Sequence, residues 1–318
     1  MRVAVLDDYF NKATELADWS PLEGRADIKV FTEHLGENED AIAKTLADFE
    51  IIVGMRERTR FPASLLKRLP KLKLLITTGA RNASFDIAAA NAQGVTVCGT
   101  GGVGSPTSEL AVGMMIALMR DIPGQYDSMK NGGWQTRPGF DLAGKTMGML
   151  GLGKLGAAVA RVANAFDMKV IAWSQNLTDA RAAECNATRV DKDTLFKESD
   201  VISVHLVLSD RSRGLVGERE LSLMKPTAYI VNTSRGPIID EKALLKALQG
   251  RTIAGAAIDV YGTEPLPKDD PIRKLDNVLL TPHLGYVTAE TFAKMYTDAV
   301  ADIMAFLDGK PVRVLQPK

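Results

Sequence analysis

The stretch TMGMLGLGKLGAAVARVANAF, residues 146–166, decides the fold class of the chain. It opens with a short apolar run typical of a buried strand, after which Gly151, Gly153 and Gly156 form a G-x-G-x-x-G pattern ahead of a helical segment. The first glycine permits a tight turn, the second lets a pyrophosphate approach the backbone, and the third lets helix and strand pack closely. The stretch therefore predicts a dinucleotide-binding unit in which free N–H groups of the helix face the phosphates.

Short β-branched runs alternate with helical segments along the rest of the chain. A first series of strands is predicted at residues 2–7, 27–33, 50–55, 72–79 and 96–99. A second series is predicted at residues 146–150, 168–174, 200–206, 228–234, 253–260 and 277–283. Because this alternation is typical of parallel sheets covered by helices on both faces, we expect an α/β protein with two doubly wound parallel-sheet domains.

The composition excludes several classes of protein. The chain has 318 residues, 46% of them hydrophobic, and its 39 basic and 39 acidic residues cancel, so we expect no broad basic face for nucleic acid. The apolar runs fall far short of the ~20 residues that span a bilayer, so we expect no membrane contact. Cys98 and Cys185 are too few for a multi-cysteine metal site and suit a reducing compartment, which predicts a cytoplasmic protein without a metal.

Three side chains with useful chemistry follow predicted strands of the second series: Arg235, Glu264 and His283. Ligands of such sheets bind beyond the carboxyl ends of the strands. An arginine can grip a carboxylate and polarise a carbonyl, and a histidine with a carboxylate partner can deliver a proton. Taken singly, the arginine could be a surface ion-pair partner and the glutamate an ordinary loop residue. Of the other histidines, we expect His34 to be solvated and His205 to be a core residue.

Several ordered blocks make the chain resemble the D-isomer-specific 2-hydroxyacid dehydrogenases over essentially its whole length. The blocks are SELAVGMMIALMR (108–120), GLGKLG (151–156), NTSRGPIIDEKALLKALQGRTIAGAAIDVYGTEPL (232–266) and LTPHLG (280–285). The resemblance implies a Rossmann cofactor domain at residues 101–284. It also implies a flavodoxin-like substrate domain at residues 1–100 plus 285–318, with a cleft between the domains.

The same resemblance implies an activity, namely hydride transfer between NAD(P)H and a small 2-keto or 2-hydroxy acid. Arg235 would bind the carboxylate and carbonyl oxygen of the substrate. His283 would donate the proton in reduction and accept it in oxidation, with Glu264 as its carboxylate partner. Members of this family commonly pair through the cofactor domain, so we expect a homodimer.

The resemblance further implies a set of cofactor-binding residues, which are Gly151, Gly153, Lys154, Leu155, Gly156, Ser174, Thr233 and Asp259. Of these, Asp259 would lie near the nicotinamide. Ser174 stands where an acid usually binds the ribose hydroxyls, and a serine would not repel a 2′-phosphate as an acid does. Because no arginine directly follows it to attract that phosphate, NAD is favoured and NADP stays open.

The substrate side is less defined by the sequence. By resemblance, the backbone at Gly79 would help to hold the substrate carboxylate. Arg56, Arg58 and Arg60 could bind an additional anionic group or form a solvated face, and Arg56 is the first candidate. Two alternative functions share this architecture: a dinucleotide-sensing binding protein similar to the C-terminal-binding-protein corepressors, and an enzyme of the formate or phosphite dehydrogenase type.

Overall fold

The computed structural model describes residues 1–317, which divide into two compact units. The first unit consists of residues 1–104 together with the described residues from Val287 onwards. The second unit consists of residues Ser105–Tyr286. Each unit contains a parallel β-sheet with helices packed against it.

The strands are short, and most of their residues are buried. They are β1 (Arg2–Val5), β2 (Asp27–Val30), β3 (Ile51–Gly54), β4 (Leu74–Thr77), β5 (Thr96–Gly99), β6 (Thr146–Leu150), β7 (Lys169–Trp173), β8 (Thr188–Arg189), β9 (Val201–Val204), β10 (Tyr229–Asn232), β11 (Gly255–Ile258) and β12 (Val278–Leu280). Each lies within or beside a strand predicted from sequence, except β8, which is only two residues long and exposed.

The helices follow the strands along the chain. They are α1 (Ala13–Leu16), α2 (Glu39–Leu46), α3 (Ala63–Leu66), α4 (Ile87–Ala92), α5 (Pro106–Met119), α6 (Ile122–Lys130), α7 (Lys154–Ala165), α8 (Asp179–Glu184), α9 (Lys192–Glu198), α10 (Glu218–Leu223), α11 (Glu241–Gln249) and α12 (Ala289–Leu307). Three 3₁₀ turns lie at Ser20–Leu22, Gly236–Ile238 and Pro271–Lys274. Several helices begin at a side-chain cap; Asp240, for example, accepts the N–H of Ala243 at the start of α11.

The order of the strands identifies both sheets. In the first unit the order is β2-β1-β3-β4-β5, which is the flavodoxin-like order. In the second unit it is β12-β11-β10-β9-β6-β7-β8, which is the dinucleotide-binding order with one further strand at the β12 edge. The strand order reverses beside β6, and this reversal places the phosphate loop at the topological switch point. The expected pair of doubly wound α/β domains, one of them Rossmann-like, is confirmed.

The second sheet is covered on both faces, as its sequence pattern requires. Successive residues of β11 belong to different hydrophobic clusters. Ile258 is in a cluster with Phe196 of α9 and Leu244 of α11. Ala257 is in a second cluster with Val159 of α7 and with residues of α5. Because successive strand residues point to opposite faces, the two clusters lie on opposite sides of the sheet. The polar side chains that follow these strands therefore lie at one edge of a sheet that is packed on both faces.

Candidate active site

The phosphate loop after β6 has the close approaches that its glycines predict. Gly151 has a φ of +104°, and a Cβ there would lie 2.7 Å from the carbonyl oxygen of His205. A Cβ on Gly156 would lie 2.3 Å from the carbonyl oxygen of Gly151, so only glycine allows α7 to start so close to the turn. Gly153 is the N-cap of α7, and no atom lies within 4 Å of where its Cβ would be. The open side of the loop therefore adjoins the free N–H groups of the helix.

The residues around this loop fit a phosphate-bearing polar ligand. Lys154 and Leu155, the first residues of α7, are exposed. Thr233 directly follows β10 and is only 4% exposed, yet its Oγ1 has no hydrogen-bond partner within residues 1–317. Because a buried hydroxyl without a partner is costly, a ligand that hydrogen-bonds there would stabilise the site. The open glycine and the orphaned hydroxyl are both consistent with a dinucleotide.

Ser174 follows β7 and is half-buried, and its carbonyl oxygen accepts the N–H of Leu177 at 3.1 Å. Sequence reasoning missed an arginine near this position. The Nε of Arg181 donates to the carbonyl oxygen of Leu152 in the phosphate loop at 3.4 Å, and its Nη1 donates to Glu184 at 2.8 Å. After β7 the chain turns back, and Arg181 in the first turn of α8 therefore reaches the phosphate loop. The only indication of this in the sequence is Thr178, whose side chain caps the start of α8.

His283 and Glu264 form a close pair in the second unit. His283 Nδ1 lies 2.6 Å from Glu264 Oε2, and the other carboxylate oxygen of Glu264 accepts the N–H of Tyr261 at 2.8 Å. Burial would raise the pKa of Glu264, but the hydrogen bond and charge of His283, the Tyr261 N–H and the charge of Arg235 hold that pKa below its usual value. The carboxylate is thus kept ionised, and it fixes the ring by its Nδ1 atom.

The backbone of His283 is held in an unusual conformation. Its φ is +55°, which is uncommon for a residue other than glycine. Asp259 holds the segment on both sides of it: the buried carboxylate accepts the hydroxyl of Thr281 and the N–H of Leu284, each at 2.6 Å, and the N–H of Gly285 at 2.9 Å. The carbonyl oxygen of Asp259 also accepts the N–H of His283 at 2.9 Å. These bonds offset the backbone strain and aim the ring.

Arg235 lies in the turn after β10, and that turn is fixed by its own hydrogen bonds. Asn232 donates its side-chain amide to the carbonyl oxygen of Arg235 at 3.0 Å and accepts the N–H of Ser234 at 3.0 Å. The next residue, Gly236, packs directly against the backbone of Tyr261, from which a Cβ would be separated by only 2.2 Å. Because the N–H of Tyr261 donates to the Glu264 carboxylate, the turn that contains Arg235 packs against the turn that contains Glu264.

Two predicted substrate contacts lie in the first unit. Arg56 follows β3 and Gly79 follows β4; the Arg56 guanidinium lies so close to Gly79 that a Cβ there would be 2.0 Å from Nη1. The N–H of Arg56 donates to Thr78 Oγ1 at 2.9 Å, and Nη1 approaches the Thr78 carbonyl oxygen at 3.4 Å. The structure therefore brings Arg56 and Gly79 together at the carboxyl edge of the first sheet, while Arg235, Glu264 and His283 belong to the second unit.

The other two histidines have different outcomes. His205 is half-buried, its Nε2 lies 2.8 Å from Ser203 Oγ, and desolvation lowers its pKa to about 4, so the ring has a hydrogen-bond partner as predicted but is not fully buried in the core. The prediction that His34 is solvated is wrong. Its side chain is only 15% exposed, and its Nδ1 lies 2.9 Å from Asp7 Oδ1. That hydrogen bond raises the pKa of His34 above its usual value, against the effect of burial.

Two further properties concern ligands and membranes. Among residues 1–317, no group of three or more histidine, cysteine, aspartate or glutamate side chains is placed to hold a metal ion. No helix in the same part of the chain combines the length and the apolar composition needed to cross a membrane.

Comparison with known proteins places the chain in a defined group. Residues 112–285 match the family model described as D-isomer specific 2-hydroxyacid dehydrogenase, NAD binding domain. The hydroxypyruvate reductase of Thermotoga maritima is 35% identical over 308 residues, which cover 95% of this chain and 97% of that protein. The crystal structure of a phosphoglycerate oxidoreductase from Vibrio cholerae is 33% identical, with a TM-score of 0.92 over 97% of this chain and 99% of that one.

Some relatives are much longer. The D-3-phosphoglycerate dehydrogenase of Archaeoglobus fulgidus is 36% identical over 281 residues, which cover 87% of this chain but 53% of that protein. The chain thus spans about half the length of this relative, whereas it matches the hydroxypyruvate reductase over nearly its full length.

Proposed function

Because the chain belongs to the D-isomer-specific 2-hydroxyacid dehydrogenase family, we propose that it transfers a hydride reversibly between a nicotinamide dinucleotide and C2 of a small 2-keto or 2-hydroxy acid. The observation that carries the proposal is the 2.6 Å pair of His283 and Glu264, which lies on the same sheet as the open glycine loop. A histidine fixed by an ionised carboxylate is the proton donor that reduction of a carbonyl needs.

In this proposal each side chain has one task in the reduction of a 2-keto acid. A nicotinamide dinucleotide held by the phosphate loop would supply the hydride to C2 when bound. Arg235 holds the substrate carboxylate with its planar fork and polarises the carbonyl oxygen. His283 gives a proton from Nε2 to that oxygen, so that the carbonyl becomes an alcohol, and Glu264 stabilises the imidazolium before the transfer. In oxidation, His283 takes the same proton back.

The dinucleotide would lie along the edge of the second sheet. The phosphate loop, from Gly151 to Gly156, would bind the pyrophosphate through Gly153 and the N–H groups of Lys154 and Leu155. Thr233 offers its unpartnered hydroxyl, and Asp259 would face the nicotinamide while it holds the His283 segment. Ser174 would hydrogen-bond the ribose hydroxyls of NAD; since a serine does not repel a 2′-phosphate, both dinucleotides belong in the test.

The first unit would supply the remaining substrate contacts. The backbone around Gly79, whose own N–H donates to Thr100 Oγ1 at 2.8 Å, would help to hold the substrate carboxylate, and Arg56, packed against that glycine, would supply a positive charge. We therefore propose residues 1–100 plus 285–318 as the substrate domain and residues 101–284 as the cofactor domain.

We also propose a homodimer and a cytoplasmic location. Exposed apolar side chains on and after α6, including Ile122, Tyr126, Met129 and Trp134, support self-association through the second unit. Cys98 and Cys185 are both free thiols, which fits a reducing compartment.

The function is tested by following oxidation of NADH and of NADPH with a panel of 2-keto acids. The panel contains glyoxylate, hydroxypyruvate, pyruvate, phenylpyruvate and branched 2-keto acids. We expect saturable turnover of at least one acid. Tight dinucleotide binding without turnover of any acid would contradict the proposal and favour a dinucleotide-sensing protein. Turnover of formate or phosphite in place of these acids would instead indicate an enzyme of that type.

A further inference from the structure

The carboxyl edge of the first sheet contains a histidine–aspartate pair that the proposed mechanism does not use. Asp7 follows β1, is 1% exposed and has a φ of +58°. One of its carboxylate oxygens accepts a hydrogen bond from His34 Nδ1 at 2.9 Å. His34 lies in the segment after β2, so the pair joins two neighbouring strand ends. A buried carboxylate needs such donors, because burying the charge without them is costly.

The second oxygen of Asp7 holds a different segment, residues 55–60, which we call the arginine loop. Thr59, itself buried, donates its hydroxyl to Asp7 Oδ2 at 2.8 Å. Arg58 donates Nη1 to the carbonyl oxygen of Asp7 at 3.0 Å, and its guanidinium lies 4.3 Å from the centre of the Tyr9 ring. Side chain and backbone of Asp7 thus bind two consecutive residues of the arginine loop.

The other end of the arginine loop is bound to the segment after β4. Arg56 has a φ of +52°, and its N–H donates to Thr78 Oγ1 at 2.9 Å. Its carbonyl oxygen accepts the side-chain amide of Asn82 at 2.6 Å. The loop is therefore held at both ends, by Thr78 and Asn82 on one side and by Asp7 on the other. Arg56 is itself the residue bound at the Thr78 and Asn82 end, and its side chain packs against Gly79.

We propose that Asp7 is a positioning residue that fixes the arginine loop, so that Arg56 and the Gly79 backbone are presented to the substrate anion in one geometry. His34 holds the Asp7 carboxylate in the orientation that Thr59 requires. This inference rests on the proposed function, because Arg56 and Gly79 take their role from it. Asp7, Thr59 and His34 act only through the loop.

The test compares two substitutions at Thr59. Thr59→Val has nearly the same shape but lacks the hydroxyl, so the Asp7 carboxylate loses its hydrogen bond to the loop while the Arg58 contact to the Asp7 carbonyl oxygen remains. Thr59→Ser keeps the hydroxyl and serves as the matched control. We expect Thr59→Val to raise the KM for the best 2-keto acid of the panel about five- to tenfold, with kcat within about twofold of wild type. Thr59→Ser should keep KM within about twofold.

A second pair of substitutions tests the other contact. His34→Ala removes the donor to Asp7, and His34→Asn places an amide near the position of Nδ1. We expect the alanine variant to raise KM in the same manner and the asparagine variant to restore most of the affinity. The dissociation constant of the reduced dinucleotide, measured by fluorescence, should stay unchanged in all four variants, because the phosphate loop belongs to the second unit.

A merely structural role would lower the melting temperature and the fraction of active protein, and so reduce kcat without changing KM. An unchanged KM in Thr59→Val, or an equal rise in Thr59→Ser, would overturn the inference. Hydrogen exchange of residues 55–60 gives a readout that is independent of turnover, and it should be faster in Thr59→Val than in Thr59→Ser. If the wild-type protein reduced no 2-keto acid, the proposed function would be wrong, and the exchange comparison would still decide whether Asp7 fixes the loop.

Discussion

His283 combines a strained backbone with a ring that is fixed at one nitrogen. Its left-handed φ would be unfavourable in an open loop, and four hydrogen bonds to Asp259 hold the segment in place. Glu264 binds Nδ1, which leaves Nε2 as the atom that can exchange a proton with a substrate. The strain is thus located at the residue whose direction matters most for the proposed chemistry.

The first prediction concerns His283→Asn. Asparagine tolerates a positive φ, so the backbone is preserved while the titratable ring is lost. We expect kcat for reduction to fall by about 10²–10⁴-fold, the usual contribution of a positioned acid. The dissociation constant of the dinucleotide should stay within about twofold, which serves as the control for folding. A kcat within a few-fold of wild type would remove His283 from the mechanism.

The second prediction concerns the pH dependence of Glu264→Gln. The hydrogen bond and charge of His283 help to hold the pKa of Glu264 below its usual value, and the neutral amide of the variant cannot form this ion pair. Reduction needs the protonated ring. The pH above which reduction slows should therefore move to a lower value in the variant, while oxidation should extend to lower pH. Rate profiles from pH 5 to 9 measure this, and superimposable profiles would contradict the pairing.

The third prediction concerns the turn from β6 into α7. The methyl group of Gly153→Ala meets no atom within residues 1–317, so we expect an unchanged melting temperature. Dinucleotide binding should weaken by at least tenfold, because the methyl group occupies the open side of the loop. Gly156→Ala would clash with the carbonyl oxygen of Gly151 and should lower the melting temperature as well.

Gly113→Ala provides a control for this pair, because Gly113 lies in α5 and also has open space around its Cβ position. This variant should bind the dinucleotide normally and should be slightly more stable, since alanine is the better helix former. Normal binding by Gly153→Ala would mean that the phosphates do not approach this turn.

Elements with a strong local pattern could be predicted from the sequence, and others could not. The phosphate loop was predictable because a buried strand, three glycines and a helix follow one another within 21 residues. Helix α6 was not predicted, since its first turn contains Pro123 and Gly124, which are typical of turns, and none of its residues is buried. His34 was misjudged because its sequence neighbours are polar, whereas Asp7 reaches it only through the pairing of β1 with β2.

The same distinction holds for the candidate site. Glu264 and His283 are 19 residues apart, and only the family resemblance suggested that they would pair; the structure places them in hydrogen-bond contact. The contacts of Asp259 with the His283 segment were not foreseen, because hydrogen bonds that backbone N–H groups donate to a carboxylate leave no trace in the sequence. Arg56 and Gly79, the proposed substrate contacts of the first unit, are neighbours because β3 pairs with β4.

At the scale of the whole molecule, the exposed apolar surface around α6 predicts self-association. Tyr126 is 61% exposed and Trp134 is 70% exposed, which is unusual for such large side chains in a monomer. Tyr126→Glu should shift the protein towards a monomer in sedimentation velocity experiments. Phe166→Glu, which alters an exposed aromatic residue at the end of α7, serves as the control and should sediment like wild type. Identical sedimentation of all three proteins would place any interface elsewhere.

Hydride transfer from the dinucleotide to C2 of the 2-keto acid can be detected directly with an isotope label. Reduced dinucleotide carrying deuterium at both C4 positions is incubated with the 2-keto acid that the protein prefers, and the product is examined by NMR and mass spectrometry. Direct hydride transfer predicts one deuterium on C2 of the 2-hydroxy acid, formed by the wild-type protein and, far more slowly, by His283→Asn. A product with only ordinary hydrogen at C2, or dinucleotide oxidised without any hydroxy acid formed, would contradict it.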